Sequence, residues 1–238
     1  MKTLIPLFSL ILLFLSSSER SDKYFFAKAK VSPIIDGKAD DAIWKNTDWL
    51  PIDQVWLGET PSKDDFSGKF KVTWDDNYLY VLAEIVDDTL IDTHNDAFSH
   101  YWDDDCLEIF LDEDASGGEH TYSFNAFAYH IALNYDVVDY SPKDPEFFND
   151  HVKTKRVRNE TTYTWETRIF LYDDSYDSSK KNTPVKLFSG KKIGFAIAYC
   201  DNDKSEFREH FMGSEFVAGD DKNRGYIDAG IFGIAVLK

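Results

Sequence analysis

The 238-residue chain carries a formal charge of −17, with 43 acidic residues against 26 lysines and arginines. The acids are spread along the chain, so the surface repels phosphate backbones and anionic headgroups; nucleic acid and membrane surfaces are excluded, while neutral ligands and cations remain. Length and an aromatic content of 16% suit an all-β chain of one domain of about 200–250 residues, or two small ones, with a core rich in Tyr and Phe.

Met1–Ser18 reads as a targeting segment: Lys2 supplies the positive start, Leu4–Leu15 the apolar run, and Ser16–Ser18 a small-residue exit. That run is shorter than the about 20 residues of a membrane span, and no cysteine follows it to take a lipid anchor. Residues 19–238 are therefore expected to be exported and soluble. Tyr24–Val31 alternates around Phe25, Ala27 and Ala29 as a first strand, and Ile34-Ile35-Asp36-Gly37 makes a turn. Asp40–Trp44 is expected as one helical turn, with Asp40 as its cap and Ile43 and Trp44 pointing inward. Trp49–Trp56 is a strand closed by the polar loop Gly58–Asp65. Phe66–Trp74 and Tyr78–Val86 form a hairpin about Asp75-Asp76-Asn77.

The segment Tyr101–Asp112, YWDDDCLEIFLD, is the most informative stretch. From Cys106 onward its side chains alternate, Cys106, Glu108 and Phe110 on one face and Leu107, Ile109 and Leu111 on the other. Both faces are largely apolar, so the strand is buried inside a sheet sandwich. Glu108 is anomalous there, because a carboxylate in such a strand must be paired or face a wet cleft. It either pairs with an arginine while Trp102 caps the core, or it holds a ligand that the Trp102 ring covers.

Strands follow around Thr121–Tyr129 and Ile131–Val138. The loop Ser141–Asp150 leads to a hairpin of His151–Arg158 with Thr162–Leu171, and Tyr172–Asn182 is a polar surface loop. Ile193–Tyr199 and Ile231–Val236 are the last strands, separated by the charged, aromatic and pattern-poor Glu206–Asp228. Cys106 and Cys200 fall in strands; they can pair in an oxidising compartment, but the reading favours two buried free thiols. Asn159-Glu160-Thr161 is a formal glycosylation sequon. With no repeat or composition break, the chain reads as one two-sheet antiparallel β-sandwich of the jelly-roll or immunoglobulin-like kind.

Four pieces occur in a recognisable order: Ile35-Asp36-Gly37 followed by Trp44, the hairpin Trp74–Val81, the strand Trp102–Asp112, and Ile231-Phe232-Gly233. Together they resemble carbohydrate-binding module family nine across essentially the whole mature chain. The resemblance implies a sandwich that binds oligo- or polysaccharide without catalysis, typically the reducing end of glucan or xylan chains, in the service of polysaccharide breakdown. It also implies structural calcium. In that family one ring of an aromatic clamp precedes a sugar-binding glutamate by six residues, and Trp102 and Glu108 reproduce the spacing. The family's second clamp tryptophan is missing, since none follows Trp165; Phe211 or Tyr226 is the substitute at hand. The segment Cys200–Gly233 looks more like exported bacterial sugar-binding proteins than xylanase-attached modules.

A pyranose presents C–H faces to aromatic rings and hydroxyls to carboxylates, amides and arginine. On that basis the candidate carbohydrate-binding residues are Trp102, Glu108, Asn125, Tyr129, Arg208, His210 and Phe211. Acid clusters at Asp103–Asp105, Asp112–Asp114, Asp201–Asp203 and Asp220-Asp221 have the oxygen-rich character that calcium needs. Two other readings stand beside sugar binding. One is a haem-binding sandwich of the DOMON type, with Met212 and His130 or His210 as axial ligands; the other is a glycoside hydrolase accessory or catalytic protein, which needs a carboxylate pair.

Overall fold

The structure, a computed structural model, describes residues 20–204 and 206–238; the targeting segment Met1–Ser18 lies outside the described residues. In chain order the strands are β1 (Asp22–Phe26), β2 (Leu50–Ile52), β3 (Gln54–Leu57), β4 (Phe66–Trp74), β5 (Leu79–Asp87), β6 (Cys106–Asp112) and β7 (Phe127–Ala132). They continue with β8 (Val137–Tyr140), β9 (Pro145–Phe147), β10 (Val152–Asn159), β11 (Thr162–Ile169), β12 (Lys192–Asp201), β13 (His210–Gly213) and β14 (Gly233–Leu237). One short helix, α1 (Ala42–Lys45), and a 3-10 turn at Ala229–Ile231 are the helical elements among the described residues. No helix there is long and apolar enough to cross a membrane.

The strands form two sheets, as expected of a sandwich. A nine-stranded sheet runs β1-β14-β12-β6-β7-β8-β9, with β13 joining β12 to β3, and a five-stranded sheet runs β10-β11-β5-β4-β2. Pairing is antiparallel except for β1, which lies parallel to β14. The main core fills the space between the sheets. It takes Leu107, Ile109 and Leu111 from β6, Phe195, Ile197 and Tyr199 from β12, and Trp74, Val81 and Trp165 from the smaller sheet. A second cluster covers the outer face of the larger sheet, where Cys106, Phe110, Ala128, Ala196, Ala198 and Cys200 lie. Three of those six are alanines. Ala196 and Ala198 are fully buried in this cluster with Trp56, Phe211 and Phe232, whereas Ala128 lines an open cleft.

Local chemistry explains the hairpin β4–β5. Asp75 Oδ1 accepts from the backbone N–H groups of Asn77 (2.8 Å) and Tyr78 (2.9 Å), closing the turn with its own side chain. Glu166 explains the Ile35-Asp36-Gly37…Trp44 piece. Its fully buried carboxylate accepts from Trp44 Nε1 at 2.8 Å and from the backbone N–H groups of Asp36 (2.9 Å) and Gly37 (3.1 Å). Gly37, at φ +84°, has no room for a Cβ beside Val157.

Several boundaries differ from the sequence reading. Thr121–Ala126 is a series of turns rather than a strand, because Asn125 and its neighbours bond locally; its Nδ2 donates to Gly117 O at 2.9 Å. The expected strand Ile131–Val138 divides at Asn134–Asp136, with Tyr135 in the left-handed region at φ +77°. Trp49–Trp56 divides at Asp53, so that β2 joins one sheet and β3 the other. The helix begins after Asp41, and Asp41 Oδ2 accepts from Ile34 N (2.9 Å) instead of capping. The supposedly pattern-poor Glu206–Asp228 contains β13.

Glu166→Ala is expected to leave buried donors without an acceptor, each costing about 1–3 kcal/mol. A urea melt should show a stability loss of about 3 kcal/mol, with ligand binding at the opposite sheet unchanged. His151 supplies a pH test. Burial pushes its imidazole down to about 4 from 6.5, with Asp150 pulling weakly upward. The unfolded chain then binds this proton more readily, so stability should fall as pH drops from about 6.5 towards 4. His151→Leu should flatten that part of the stability profile.

Candidate sugar-binding cleft and acidic cation site

Glu108 stands at the centre of the outer face, opposite His130 of β7 on one side and Ala198 of β12 on the other. It opens onto a cleft of about 410 Å³. Its Oε1 accepts from Cys200 Sγ (3.2 Å) and lies 3.6 Å from both His130 Nδ1 and Arg208 Nη1. Burial raises the carboxyl pKa, but His130 and Arg208 outweigh it and hold Glu108 below its ordinary range. Arg208 is itself buried, with its guanidinium 4.1 Å over the Phe211 ring and Nη1 donating to Cys200 Sγ at 2.9 Å. The carboxylate is thus paired with an arginine and also faces a cleft, while Trp102 lines that cleft rather than capping the core.

Aromatic rings form the rim. Trp102 is 40% exposed, Tyr226 51% and Tyr122 70%, and all three line the cleft. Tyr101 braces the site from below, edge-on to Trp102 at 5.0 Å and to His130 at 4.8 Å between ring centres. The three aspartates after Trp102 fix the surrounding loops. Asp103 Oδ1 accepts from Arg208 N (3.3 Å), Asp104 accepts from the N–H groups of Thr93 (2.9 Å) and His94 (2.8 Å), and Asp105 Oδ1 accepts from Asn202 N (2.8 Å).

Of the seven candidates, Trp102, Glu108, Arg208 and Phe211 come together in the cleft. Tyr129 does not. It sits opposite Ile109 on the core face, buried, with its hydroxyl on His151 Nδ1 at 2.7 Å. Asn125 is held in its turn by Gly117, away from the cleft. His210, opposite Asp201, lies on the other side of β13 from Phe211, with Nε2 3.5 Å from Asp65. Of the two substitutes for the second clamp ring, Phe211 is only 2% exposed beneath Arg208, whereas Tyr226 presents an open face. His130, Tyr122 and Asn223 also line the cleft; the sequence reading took His130 only as a candidate haem ligand and did not single out the other two. His130 was findable once β7 was registered against β6; Tyr122 and Asn223 sit in irregular segments with no periodic signal.

Of the axial ligands in the haem reading, Met212 belongs to the core between the sheets and His130 faces the outer cleft, so that pair does not meet; His210, on Met212's side of β13, has Nε2 3.5 Å from Asp65. Cation chemistry fares better. Strands β6 and β12 carry two of the acid clusters to one end, where carboxylate oxygens of Asp87, Asp105 and Asp201 lie within 4.8 Å of one another. All three are buried, and Asp201 Oδ2 has no hydrogen-bond partner. Burial, followed by mutual repulsion, pushes Asp105 up to about 9 and Asp201 up to about 8; burial pushes Asp87 up to about 6. An all-oxygen set with an unpartnered buried acceptor fits a hard divalent cation such as calcium.

A family model described as "Carbohydrate family 9 binding domain-like" matches residues 35–238. The chain belongs to this family. A family 9 module from Caldicellulosiruptor kristjanssonii, solved with cellotriose, is 26% identical with a TM-score of 0.66, covering 90% of this chain and 93% of that one. A family 9 module from the same organism, solved with glucose, is 27% identical, at the same TM-score and 90% and 95% coverage. The exoglucanase XynX of Acetivibrio thermocellus is 26% identical over 73% of this family 9 chain. Endo-1,4-beta-xylanase A of Thermotoga maritima is 40% identical over 34% of it. The chain spans only 14% and 7% of those two enzymes.

Proposed function

We propose that this family 9 chain is an exported, non-catalytic protein that holds the end of a β-glucan or xylan chain in the cleft around Glu108. The observation that carries the reading is an ionised, arginine-paired carboxylate at the floor of a cleft rimmed by exposed rings. In it Glu108 accepts from sugar hydroxyls, Arg208 and His130 orient it and donate, and Trp102 with Tyr226 covers the sugar's C–H faces. The complexes of the Caldicellulosiruptor module with glucose and cellotriose support this ligand class. The Lys2 and Leu4–Leu15 pattern supports export, and service to polysaccharide breakdown follows from the ligand. Calcium at Asp87, Asp105 and Asp201 is the structural cation in this reading. It would neutralise three acids close to the Asp103–Arg208 contact that presents the arginine.

Calorimetry with cellotriose should show that Trp102→Ala weakens binding at least tenfold, about 1.4 kcal/mol, for hexose and pentose ligands alike. Glu108→Gln removes charged hydrogen bonds of about 1.5–3 kcal/mol each, so it should weaken unreduced oligosaccharides more than their reduced counterparts. Full retention of binding by Trp102→Ala would end the case for this cleft.

Chelation should lower the melting temperature. A native-state ligand at a hundred times its Kd contributes about 2.7 kcal/mol by mass action. Asp201→Asn should remove most of the EDTA response, and an unchanged melt in EDTA would reduce the acid cluster to a hydrogen-bonded end of the sheet.

A further inference from the structure

Sugar recognition does not account for the sulfur chemistry at the floor of the cleft. Strand pairing sets Cys106 directly opposite Cys200, and His130 directly opposite Glu108. Both cysteines are free and buried. Cys106 Sγ lies 3.1 Å from His130 Nδ1, and His130 Nδ1 lies 3.6 Å from Glu108 Oε1. The three donor atoms all fall within 4.8 Å of one another. Cys200 Sγ, 3.2 Å from the same Glu108 oxygen, lies outside that group.

Thiolate, imidazole and carboxylate form the donor set of a borderline-soft cation, unlike the all-oxygen cluster at Asp87, Asp105 and Asp201. Zinc takes sulfur at about 2.3 Å and nitrogen or oxygen at about 2.0–2.2 Å in a tetrahedron, which separates neighbouring donors by about 3.3–3.8 Å. The separations of 3.1 and 3.6 Å lie within a few tenths of an ångström of that range. Charge also balances. One Cys106 thiolate and the Glu108 carboxylate cancel a divalent ion. The donors stand on two adjacent strands, a rigid frame, and the cleft provides the way in.

We propose that Cys106, His130 and Glu108 bind a thiophilic divalent cation of the zinc class at the floor of the cleft, with the fourth position open to the cleft. Because Glu108 is shared, the cation and a sugar exclude one another, a consequence that rests on the sugar reading; the metal site itself does not.

The test uses the full chain, reduced and kept in calcium, titrated with Co2+ as a coloured substitute for Zn2+. One equivalent should produce a thiolate-to-cobalt charge-transfer band in the near ultraviolet. Added Zn2+ should abolish the band, and Cys106→Ser should never develop it. Cobalt held by carboxylates alone gives no such band, so its absence in folded wild-type protein overturns the site, as does an equal band in Cys106→Ser. Cys200→Ala, with Cys106 intact, should keep the band and guards against misfolding of the first variant. Saturating Zn2+ should lower cellotriose affinity at least tenfold. Cellotriose binding without a cobalt band removes the metal site and leaves the sugar reading intact; a band without cellotriose binding does the reverse.

Discussion

Antiparallel pairing of β6 with β12 sets both faces of the larger sheet at once. In the register Gly194↔Asp112 to Cys200↔Cys106, Leu107, Ile109 and Leu111 meet Tyr199, Ile197 and Phe195 on the core side. The same register places Glu108 against Ala198 and Cys106 against Cys200 on the outer side. A slip of one residue would send Glu108 into the core between the sheets, where a carboxylate without a partner is prohibitive. The hydrophobic demand of one face therefore determines the polar chemistry of the other.

The pairing also decides what happens at the ends of the two strands. Asp103–Asp105 precedes β6 and Asp201–Asp203 closes β12, so the register carries both groups to the same edge. There the Asp103 and Asp105 side chains hold the backbone N–H groups of Arg208 and Asn202, while Asp105 and Asp201 meet Asp87 of β5. Concentrated negative charge of this kind destabilises the folded state unless protons or a cation neutralise it. Arg208 follows directly from this anchoring. The backbone that presents it is fixed by an aspartate that the strand pairing put in place.

The two sheets divide their labour unevenly. The outer face of the smaller sheet is closed by Ile35, Trp44, Tyr80 and Leu82 and sealed by Glu166, whose acceptors are taken by Trp44 and the Asp36–Gly37 turn. The outer face of the larger sheet is covered only in part, by Trp56, Phe211 and Phe232, and leaves a cleft over Glu108 and Ala128 that is rimmed with rings. Two buried glutamates on opposite faces thus have opposite consequences: Glu166 is enclosed and completes the packing, and Glu108 remains at the floor of an open cleft.

Much was legible in the sequence. The period of two on Cys106–Asp112 announced a strand apolar on both faces, Asp75–Asn77 announced its turn, and Glu108 stood out because charge and burial conflict on that strand. Those are local properties, carried by neighbours in the chain. Which side of a strand a residue faces is not local, because it depends on where the strand begins and on the partner it meets. Starting a strand at Thr121 put Tyr129 and Asn125 in the cleft. Pairing with β6 instead turned Tyr129 into the core and brought His130 up beside Glu108. His210 and Phe211, both candidates, were separated in the same way when β13 paired with β12, Phe211 facing the cleft and His210 the other side. The aromatic rim at Tyr122 and Tyr226 comes from irregular segments, whose course only the folded sheets beneath them decide.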